Sequence, residues 1–329
     1  MLVVLLVSGA LAASAGAADA AGRTSKGPKV GTPPTPVVSP SADPSVSGRS
    51  FGVAMDQVPG TVAPLLALSD ELGRRPDRVT WYVAWSTGGG FPAQEAAAVA
   101  GIGAVPVITW EPWDPARGVK RPTYALSRIA GGAFDPYVRS WAQGARAYGG
   151  PVVLRFAHEM NGNWYPWAAS VNKNTAPSYA AAWRHVVDVF RAEGATNVSW
   201  QWSPNVPYAG STSLAAVFPG DAYVDSVALD GYNWAGVNAG AAWVSFADVF
   251  APGAQQVRAL TQRPLYVGET ATAEQGGAKP DWITGMFGTL TGSTTFAGFT
   301  WFHYLKEGDW RIDSSTGALT AFREGLAAY

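Results

Sequence analysis

The chain has 329 residues, of which 14 % are charged, and a net charge of −1. That length allows one large domain of about 250–300 residues with a tail, or two smaller domains. The balanced charge offers no basic surface and therefore excludes a nucleic-acid partner. Cys is absent, which excludes disulfide bonds, thiolate metal sites and a cysteine nucleophile. We expect neither a metal nor a cofactor, because no zinc-like spacing relates the three histidines, His158, His185 and His303.

The N-terminal segment predicts export. Residues 2–7 form an apolar core that Ala-x-Ala patterns follow, so residues 1–20 are expected to be a signal peptide. No basic residues precede the core, which indicates a signal truncated at its start. Residues 21–50 are rich in Pro, Ser, Thr and Gly and predict a disordered linker. We expect a secreted, extracellular monomer with no membrane contact; the alternative, an uncleaved anchor, is disfavoured because the apolar stretch is short.

From residue 51 onward, the pattern predicts strands that alternate with helices. Apolar runs of strand length occur at residues 51–55, 79–84, 105–110, 152–157, 198–202, 224–229, 265–268 and 296–302. Stretches with apolar positions three and four residues apart occur at residues 93–100, 137–148, 179–192, 243–260, 280–290 and 319–328, and a short, poorly marked helix is expected near residues 211–218. This order predicts an α/β fold, a single (β/α)8 TIM barrel over residues 51–329. A doubly wound open sheet is the alternative, which we disfavour because no glycine-rich phosphate loop follows the first strand.

Two glutamates stand out at the ends of the predicted strands. A barrel of this kind brings the carboxyl end of every strand to one rim, where the active sites of such barrels lie. Glu159 follows the fourth strand and Glu269 the seventh, and these strands lie across a barrel from each other. Hydrolysis of a glycosidic bond needs an acid for the leaving oxygen and a second carboxylate on the opposite face of the sugar. The pair therefore indicates a glycoside hydrolase with its catalytic domain in residues 51–329.

Both glutamates also have structural interpretations. Strand alternation places Arg155 on the same face as Glu159, where it could form an ion pair or orient a catalytic group. Glu269 could form a salt bridge at the rim. Other carboxylates compete for the same roles, and from position alone Glu111 is nearly as good a candidate. The competing carboxylates are Glu111, Asp230, Glu274 and Asp309.

Tryptophan is abundant, with 15 in the chain. Those expected in the core because they fall in helix-like stretches are Trp141, Trp183, Trp243 and Trp282. The others lie in strands or in the loops directly after them, where flat aromatic faces suit stacking on sugar rings. We therefore expect a sugar-binding cleft, with ordinary core packing as the alternative. Alternation places Trp200 and Trp202 on one side of their strand.

The segment from Arg155 to Trp167 carries a resemblance to a known family. Its sequence, Arg-Phe-Ala-His-Glu-Met-Asn-Gly-Asn-Trp-Tyr-Pro-Trp, resembles the acid/base signature of glycoside hydrolase family 26, a family of retaining β-mannanases with (β/α)8 barrels. Supporting segments occur in the expected order at residues 198–205, 223–225, 229–232, 267–269 and 298–302. The resemblance covers roughly residues 51–329. The His-Glu-Met-Asn-Gly core is highly specific, whereas the motif of the seventh strand is short.

The resemblance implies roles for individual residues. Glu159 would be the general acid/base and Glu269 the nucleophile. Arg155 and His158 would shape the site around Glu159, and Tyr232 would hydrogen-bond the nucleophile. The residues that the family resemblance and the rim place against substrate are Arg155, His158, Asn161, Trp164, Trp167, Trp110, Asp230, Tyr232 and Trp301.

Three of these residues have more specific implied roles. Trp164 would stack on a sugar on the leaving-group side, and Trp301 would form the floor under the sugar that is attacked. Asp230 would orient neighbouring polar groups. None of these roles requires a metal.

The function implied is a secreted retaining endo-β-glycosidase that cuts a plant- or microbe-derived polysaccharide, with β-1,4-mannan as the expected substrate. Pro166 stands where mannanases of the family often have a bulky aromatic residue, and residues 110–113 are similar to members that act on other glucans. Mixed-linkage β-glucan and β-1,3-xylan are therefore alternative substrates. A catalytically silent carbohydrate-binding barrel is a further alternative, which the presence of both Glu159 and Glu269 disfavours.

Overall fold

The structure is a computed structural model that describes residues 49–87 and 89–329. Eight parallel strands close into a barrel in chain order, with the last strand pairing with the first. The strands are β1 (Ser50–Met55), β2 (Arg78–Ala84), β3 (Val105–Glu111), β4 (Val152–Phe156), β5 (Val198–Trp202), β6 (Ser226–Asp230), β7 (Leu265–Thr270) and β8 (Gly298–His303). The predicted (β/α)8 barrel is therefore confirmed. The expected signal peptide lies outside the described residues, as does the expected linker except for its last two positions.

Helices cover the outside of the barrel. They are α1 (Ala63–Leu72), α2 (Ala93–Gly101), α3 (Leu126–Ala130), α4 (Asp135–Tyr148), α5 (Ala176–Ala192), α6 (Leu214–Val217), α7 (Phe246–Leu260), α8 (Lys279–Thr291) and α9 (Thr316–Ala328). The sequence pattern did not predict α1 or α3. The second of these has only five residues, too few to show a helical period. Within the described part of the chain, no helix has the length and apolar character needed to cross a membrane.

Helix α5 shows how the sequence builds this outer layer. Thr175 begins it with a capping box, in which its side chain and that of Ser178 each accept a backbone N–H. Its apolar residues, spaced three and four apart, then face the barrel. The Trp183 ring lies 6.1 Å from that of Phe156 on β4, and the Phe190 ring lies 5.0 Å from a ring on β5. The outward faces of β4 and β5 are thereby buried.

Alternation along each strand separates two layers of side chains. On β3, the outward Trp110 packs with a ring-centroid distance of 4.5 Å against Trp141 of α4. Its neighbour Thr109 points inward and accepts a hydrogen bond from Arg155 of β4 at 3.0 Å. The outer layer is thus aromatic here, whereas the inner layer near the carboxyl ends of the strands is polar. This inner layer positions the candidate site.

Candidate active site

Arg155 lies at the centre of the polar inner layer. Its Nη1 donates to Oε1 of Glu269 at 2.8 Å, and its Nη2 donates to Oδ2 of Asp230 at 2.6 Å. It also donates to the hydroxyl groups of Ser203 at 2.9 Å and Thr109 at 3.0 Å. All five side chains are buried. One arginine from β4 therefore joins carboxylates from β6 and β7 with hydroxyl groups from β3 and from the loop after β5.

The surroundings of Glu269 favour its ionised form. Tyr232 donates its hydroxyl hydrogen to Oε2 of Glu269 at 2.7 Å, as the family resemblance implied. Burial raises the pKa of Glu269, but the charge of Arg155 and the two hydrogen bonds outweigh it, so the pKa lies below its usual value. A carboxylate held in this way remains negative at neutral pH and can act as a nucleophile.

Gly268 allows this cluster to form. A Cβ atom at position 268 would overlap Oδ1 of Asp230 and would lie 2.9 Å from Cβ of Ala228. It would also lie 3.4 Å from Nη2 of Arg155. Only glycine therefore lets β6 and β7 approach closely enough for Asp230 and Glu269 to share the guanidinium group.

Glu159 lies after an abrupt change in the backbone at the end of β4. Ala157 and Glu159 have φ angles of 46° and 52°, in the left-handed region that non-glycine residues rarely adopt. The Glu159 N–H donates to the carbonyl oxygen of Ser203 at 2.7 Å, which ties the turn to the loop after β5. Strand alternation therefore stops before Glu159. The ion pair between Arg155 and Glu159 that the sequence allowed does not form, because Arg155 points to Glu269 and Asp230 instead.

The carboxyl group of Glu159 is buried and receives two neutral hydrogen bonds. Nε1 of Trp164 donates to Oε2 at 2.6 Å, and Nδ2 of Asn205 donates to Oε1 at 3.0 Å. Burial raises the pKa of Glu159 to about 7, with a further increase from the negative charge of Glu269. The two carboxyl groups therefore differ, since Glu159 holds a proton at a pH where Glu269 is ionised. An acid and a nucleophile need this difference.

His158 is buried among aromatic rings beside Glu159. Its ring lies 4.8 Å from that of Tyr165 and 6.1 Å from that of Tyr82. Burial lowers the pKa of His158 to about 3, so this histidine is neutral at physiological pH. Trp167, expected against substrate, is itself buried and donates from Nε1 to the His158 carbonyl oxygen at 2.7 Å. It supports the loop and is not presented to the cleft.

Asn161 is a second residue with a supporting position. Its Nδ2 donates to the carbonyl oxygen of Asn205 at 2.9 Å, and its Oδ1 accepts from the backbone N–H of Asn205 at 2.9 Å. The side chain has no exposed surface. Asn161 was expected to contact substrate, but its side chain does not face the cleft. It fixes Asn205, which in turn hydrogen-bonds Glu159.

Trp110 and Trp301 lie outside the site, which corrects two expected substrate contacts. Both are fully buried in the layer between strands and helices. Trp110 packs on Trp141 of α4, and the Trp301 ring lies 5.2 Å from that of Phe322 on α9. The physical reason is strand alternation, since each side chain points away from the barrel interior, toward the helices. Their nearness to the rim in sequence does not bring their rings to the cleft.

The tryptophans on these strands therefore pack in the core and do not, as expected, line a sugar-binding cleft. Trp200 and Trp202 share one face of β5, as predicted, but that face is the outer one, where they pack on Phe190 and Phe218. Trp164, in the loop after β4, is half-buried. The sugar-binding argument therefore depends on a few loop aromatics and not on the strands.

Two groups of aromatic rings near the rim were not among the substrate contacts expected from the sequence. On one side, Tyr208 is 40 % exposed and stacks on Trp164, with ring centroids 5.8 Å apart and planes inclined at 29°. On the other side, the buried rings of Phe302 and Trp310 lie 5.7 and 5.6 Å from the Tyr232 ring. Phe302 directly follows Trp301 and points inward, so alternation along β8 would have identified it.

Within residues 49–87 and 89–329, no three His, Asp or Glu side chains are grouped so that they could hold a metal ion. The arrangement therefore offers proton transfer and nucleophilic attack by carboxyl groups, with an accessible aromatic pair, Trp164 and Tyr208, beside Glu159. That combination suits cleavage of a glycosidic bond.

Comparisons with known proteins agree with this geometry. The model of Glycosyl hydrolase family 26 matches residues 132–273, a range that includes Glu159 and Glu269. Endoglucanase H from Acetivibrio thermocellus is 40 % identical over 287 residues, 86 % of this chain and 31 % of that protein. Mannan endo-1,4-beta-mannosidase A and B from Caldalkalibacillus mannanilyticus is 39 % identical over 87 residues, 25 % of this chain and 16 % of that protein.

A solved structure shares the fold. It is the catalytic domain of a GH26 endo-beta-1,4-mannanase from Bacillus sp. JAMB-750. The alignment covers 87 % of this chain and 87 % of that protein, with a TM-score of 0.65 and 20 % identity. The chain spans about a third or less of the length of the curated relatives that it matches. Residues 132–273 of this chain, which contain Arg155 and both glutamates, match glycosyl hydrolase family 26.

Proposed function

We propose that this domain is a retaining endo-β-glycosidase with Glu159 as general acid/base and Glu269 as nucleophile. The observation that carries the proposal is the contrast between the two carboxyl groups. Glu269 is held ionised by Arg155 and Tyr232, whereas Glu159 is buried with only neutral donors, Trp164 and Asn205. A retaining glycosidase needs this contrast, because one group must attack while the other gives up a proton.

The reaction follows in two steps. In the first, an oxygen of Glu269 forms a bond to the anomeric carbon as the bond to the leaving oxygen breaks, and Glu159 transfers its proton to that oxygen. In the second, Glu159 removes a proton from water, the water oxygen bonds to the anomeric carbon, and the bond to Glu269 breaks. Two inversions at the same carbon give net retention.

The aromatic pair beside Glu159 supports binding of a long chain. Trp164 donates to Glu159 and therefore lies next to the group that protonates the leaving oxygen. Tyr208 stacks on Trp164 and extends the aromatic surface away from Glu159. We infer that sugars beyond the cleavage point pack on this surface, which favours cleavage within a polymer over removal of terminal sugars.

Two substrate classes have support. The relative that aligns over 86 % of this chain is named an endoglucanase, which favours a β-glucan such as lichenan. The curated mannosidases align over 25 % of the chain, and with the acid/base motif they support β-1,4-mannan. Release of reducing sugars should be measured on lichenan, mannan, glucomannan and β-1,3-xylan. We expect rapid release from lichenan or from a mannan, and binding to all four without release would contradict the proposal.

We also propose that the protein is exported. The polysaccharide substrates proposed here lie outside cells. Residues 1–20 have the apolar core and Ala-x-Ala patterns of a signal peptide. Mass spectrometry of protein recovered from culture medium should find an N-terminus near residue 21. Recovery of an uncleaved chain in the membrane fraction would contradict export and cleavage.

A further inference from the structure

A third carboxyl group, that of Glu111, lies in the inner layer and has no role in the reaction described above. Glu111 ends β3, two residues after the inward-pointing Thr109, so alternation places both on the inner face. Its side chain is 7 % exposed. Burial of a carboxyl group costs free energy unless hydrogen bonds satisfy both of its oxygens, and the catalytic steps need only the carboxyl groups of Glu159 and Glu269.

The contacts of Glu111 leave one oxygen available. Nε1 of Trp113 donates to Oε2 at 3.2 Å. In the part of the chain that the structure describes, Oε1 has no hydrogen-bond partner, and it is not fully enclosed. The Trp113 ring is itself fixed by edge-to-face contacts with Tyr165 at 5.3 Å and Trp167 at 5.7 Å. The indole therefore holds the carboxyl group in one orientation.

The charges that face Glu111 come from several loops. Glu269 is negative, Glu159 becomes negative when it loses its proton, and Lys306 in the loop after β8 is positive. The Tyr165 hydroxyl group also interacts electrostatically with this carboxyl group. Arg155, the buried cation of the inner layer, is committed to Glu269 and Asp230. Burial outweighs the Trp113 hydrogen bond and raises the pKa of Glu111 to about 7.

The position of Glu111 relative to Glu159 identifies which sugar it can reach. Trp164 and Tyr208 stack on each other in the loops after β4 and β5, and the family resemblance implies that Trp164 lies on the leaving-group side. Glu111 is on β3, on the other side of β4 in the barrel order. A sugar near Glu111 therefore belongs to the part of the chain that becomes attached to the nucleophile.

We propose that Glu111 binds a hydroxyl group of a sugar on the non-reducing side of the cleavage point, with Oε2 held by Trp113 and Oε1 presented to the substrate. The inference rests on the proposed hydrolase function. A carboxyl group that keeps its proton donates one hydrogen bond and accepts another, which a sugar hydroxyl can satisfy in both directions. Glu111 then selects substrates by the orientation of that hydroxyl.

The test compares Glu111→Gln and Glu111→Ala on the polysaccharide that the native enzyme cuts fastest. Gln also donates and accepts, so we expect kcat/KM within about fivefold of the native value, whereas Ala should lose about 10- to 100-fold. Glu71→Gln, at an exposed glutamate of α1, is the control. Thermal melts of all variants separate a binding defect from a folding defect.

The pH profile of kcat/KM gives a readout that a purely structural role would not change. If both Glu159 and Glu111 must be protonated, the basic limb of the native enzyme should approach a slope of about −2 on a logarithmic scale. In Glu111→Gln the slope should fall to about −1, because only Glu159 still titrates. An unchanged slope, or full activity of Glu111→Ala, overturns the inference. If the native enzyme cuts no polysaccharide, it is the proposed function that fails.

Discussion

Arg155 donates a hydrogen bond to Glu269, 114 residues away in sequence, at 2.8 Å, and makes no ion pair with Glu159, four residues away. The positive φ angles of Ala157 and Glu159 separate the two side chains. As a result, the guanidinium charge keeps the pKa of Glu269 low and leaves burial to raise the pKa of Glu159. One change in backbone direction therefore underlies the different protonation of the two glutamates.

Arg155→Lys tests this relationship. Lysine keeps the charge but cannot bond Glu269 and Asp230 together as the planar guanidinium does. We expect the acidic limb of the kcat/KM profile to move to higher pH, because Glu269 loses stabilisation of its ionised form. At pH 6 the loss in kcat/KM should be about 10- to 100-fold, the value of a hydrogen bond between charged groups.

Arg139→Lys, at an exposed position on α4, is the control for Arg155→Lys and should leave the profile unchanged. Arg155→Met should instead destabilise the fold by about 3–5 kcal/mol, since it leaves buried carboxylates unpaired. An acidic limb that stays in place in Arg155→Lys would mean that Arg155 does not set the pKa of Glu269.

Glu159→Ala tests the acid/base assignment. Loss of a positioned proton donor should lower kcat/KM on polysaccharide by about 10²- to 10⁴-fold. Aryl glycosides with good leaving groups need no proton, so their first step should be spared and the glycosyl-enzyme should accumulate. Azide, which attacks without a base, should then restore turnover and give a glycosyl azide of retained configuration. Turnover of polysaccharide at the native rate would remove Glu159 from the mechanism.

The dependence of stability on pH follows from the same burial. The pKa of Glu159 is raised to about 7 in the folded protein, so its proton is held more tightly there than in the unfolded chain. Its contribution to stability is fully present below the unfolded pKa and is lost as pH rises through about 7. Glu159→Gln removes this loss.

We therefore expect the free energy of unfolding of Glu159→Gln, relative to the native protein, to rise by about 1–3 kcal/mol from pH 5 to pH 8. Chemical denaturation at the two pH values measures it. Glu71→Gln should show no such rise, and a constant difference for Glu159→Gln would mean that Glu159 is ionised at little cost.

Trp164 and Trp183 separate stacking from packing. Trp164 is half-buried in a loop, so Trp164→Ala should leave the fold nearly intact and lower turnover of long substrates by about 10- to 100-fold. Trp183 is fully buried under α5, and Trp183→Ala should cost about 3–5 kcal/mol of stability. Thermal melts and kinetics on both variants distinguish the two effects.

Trp164 also donates to Glu159, and two further variants isolate that contact. Trp164→Phe keeps an aromatic face but removes the N–H that lowers the pKa of Glu159, so the basic limb should move to higher pH. Tyr208→Ala removes exposed aromatic surface alone. It should weaken the binding of long substrates without moving the acidic or the basic limb of the pH profile. Unfolding of Trp164→Ala would show that this ring is part of the core.

Much of the fold was predictable because each strand is an apolar run that ends in polar or aromatic residues. The same signal identified Glu159 and Glu269. The errors came from assigning rim residues without asking which face each occupies. A shift of one position exchanges the inner and outer faces, so Trp301 packs on helices while Phe302 faces the cleft.

Other features depend on contacts that sequence spacing does not encode. The left-handed backbone at Ala157 and Glu159 has no glycine to mark it. The stacking of Tyr208 on Trp164 and the bonding of Asn161 to Asn205 join separate loops. These contacts arise only when the barrel brings the ends of β4 and β5 together.

The most direct test of the account is to identify the residue that becomes glycosylated. A 2-deoxy-2-fluoro glycosyl fluoride of the preferred sugar slows both steps of a retaining enzyme and should trap the intermediate. Peptide mapping by mass spectrometry after digestion then locates the added sugar. We predict a single modification on Glu269, absent from Glu269→Gln. A modification on Glu111 or Glu159, or rapid release of product with inverted configuration and no trapped species, would contradict the account.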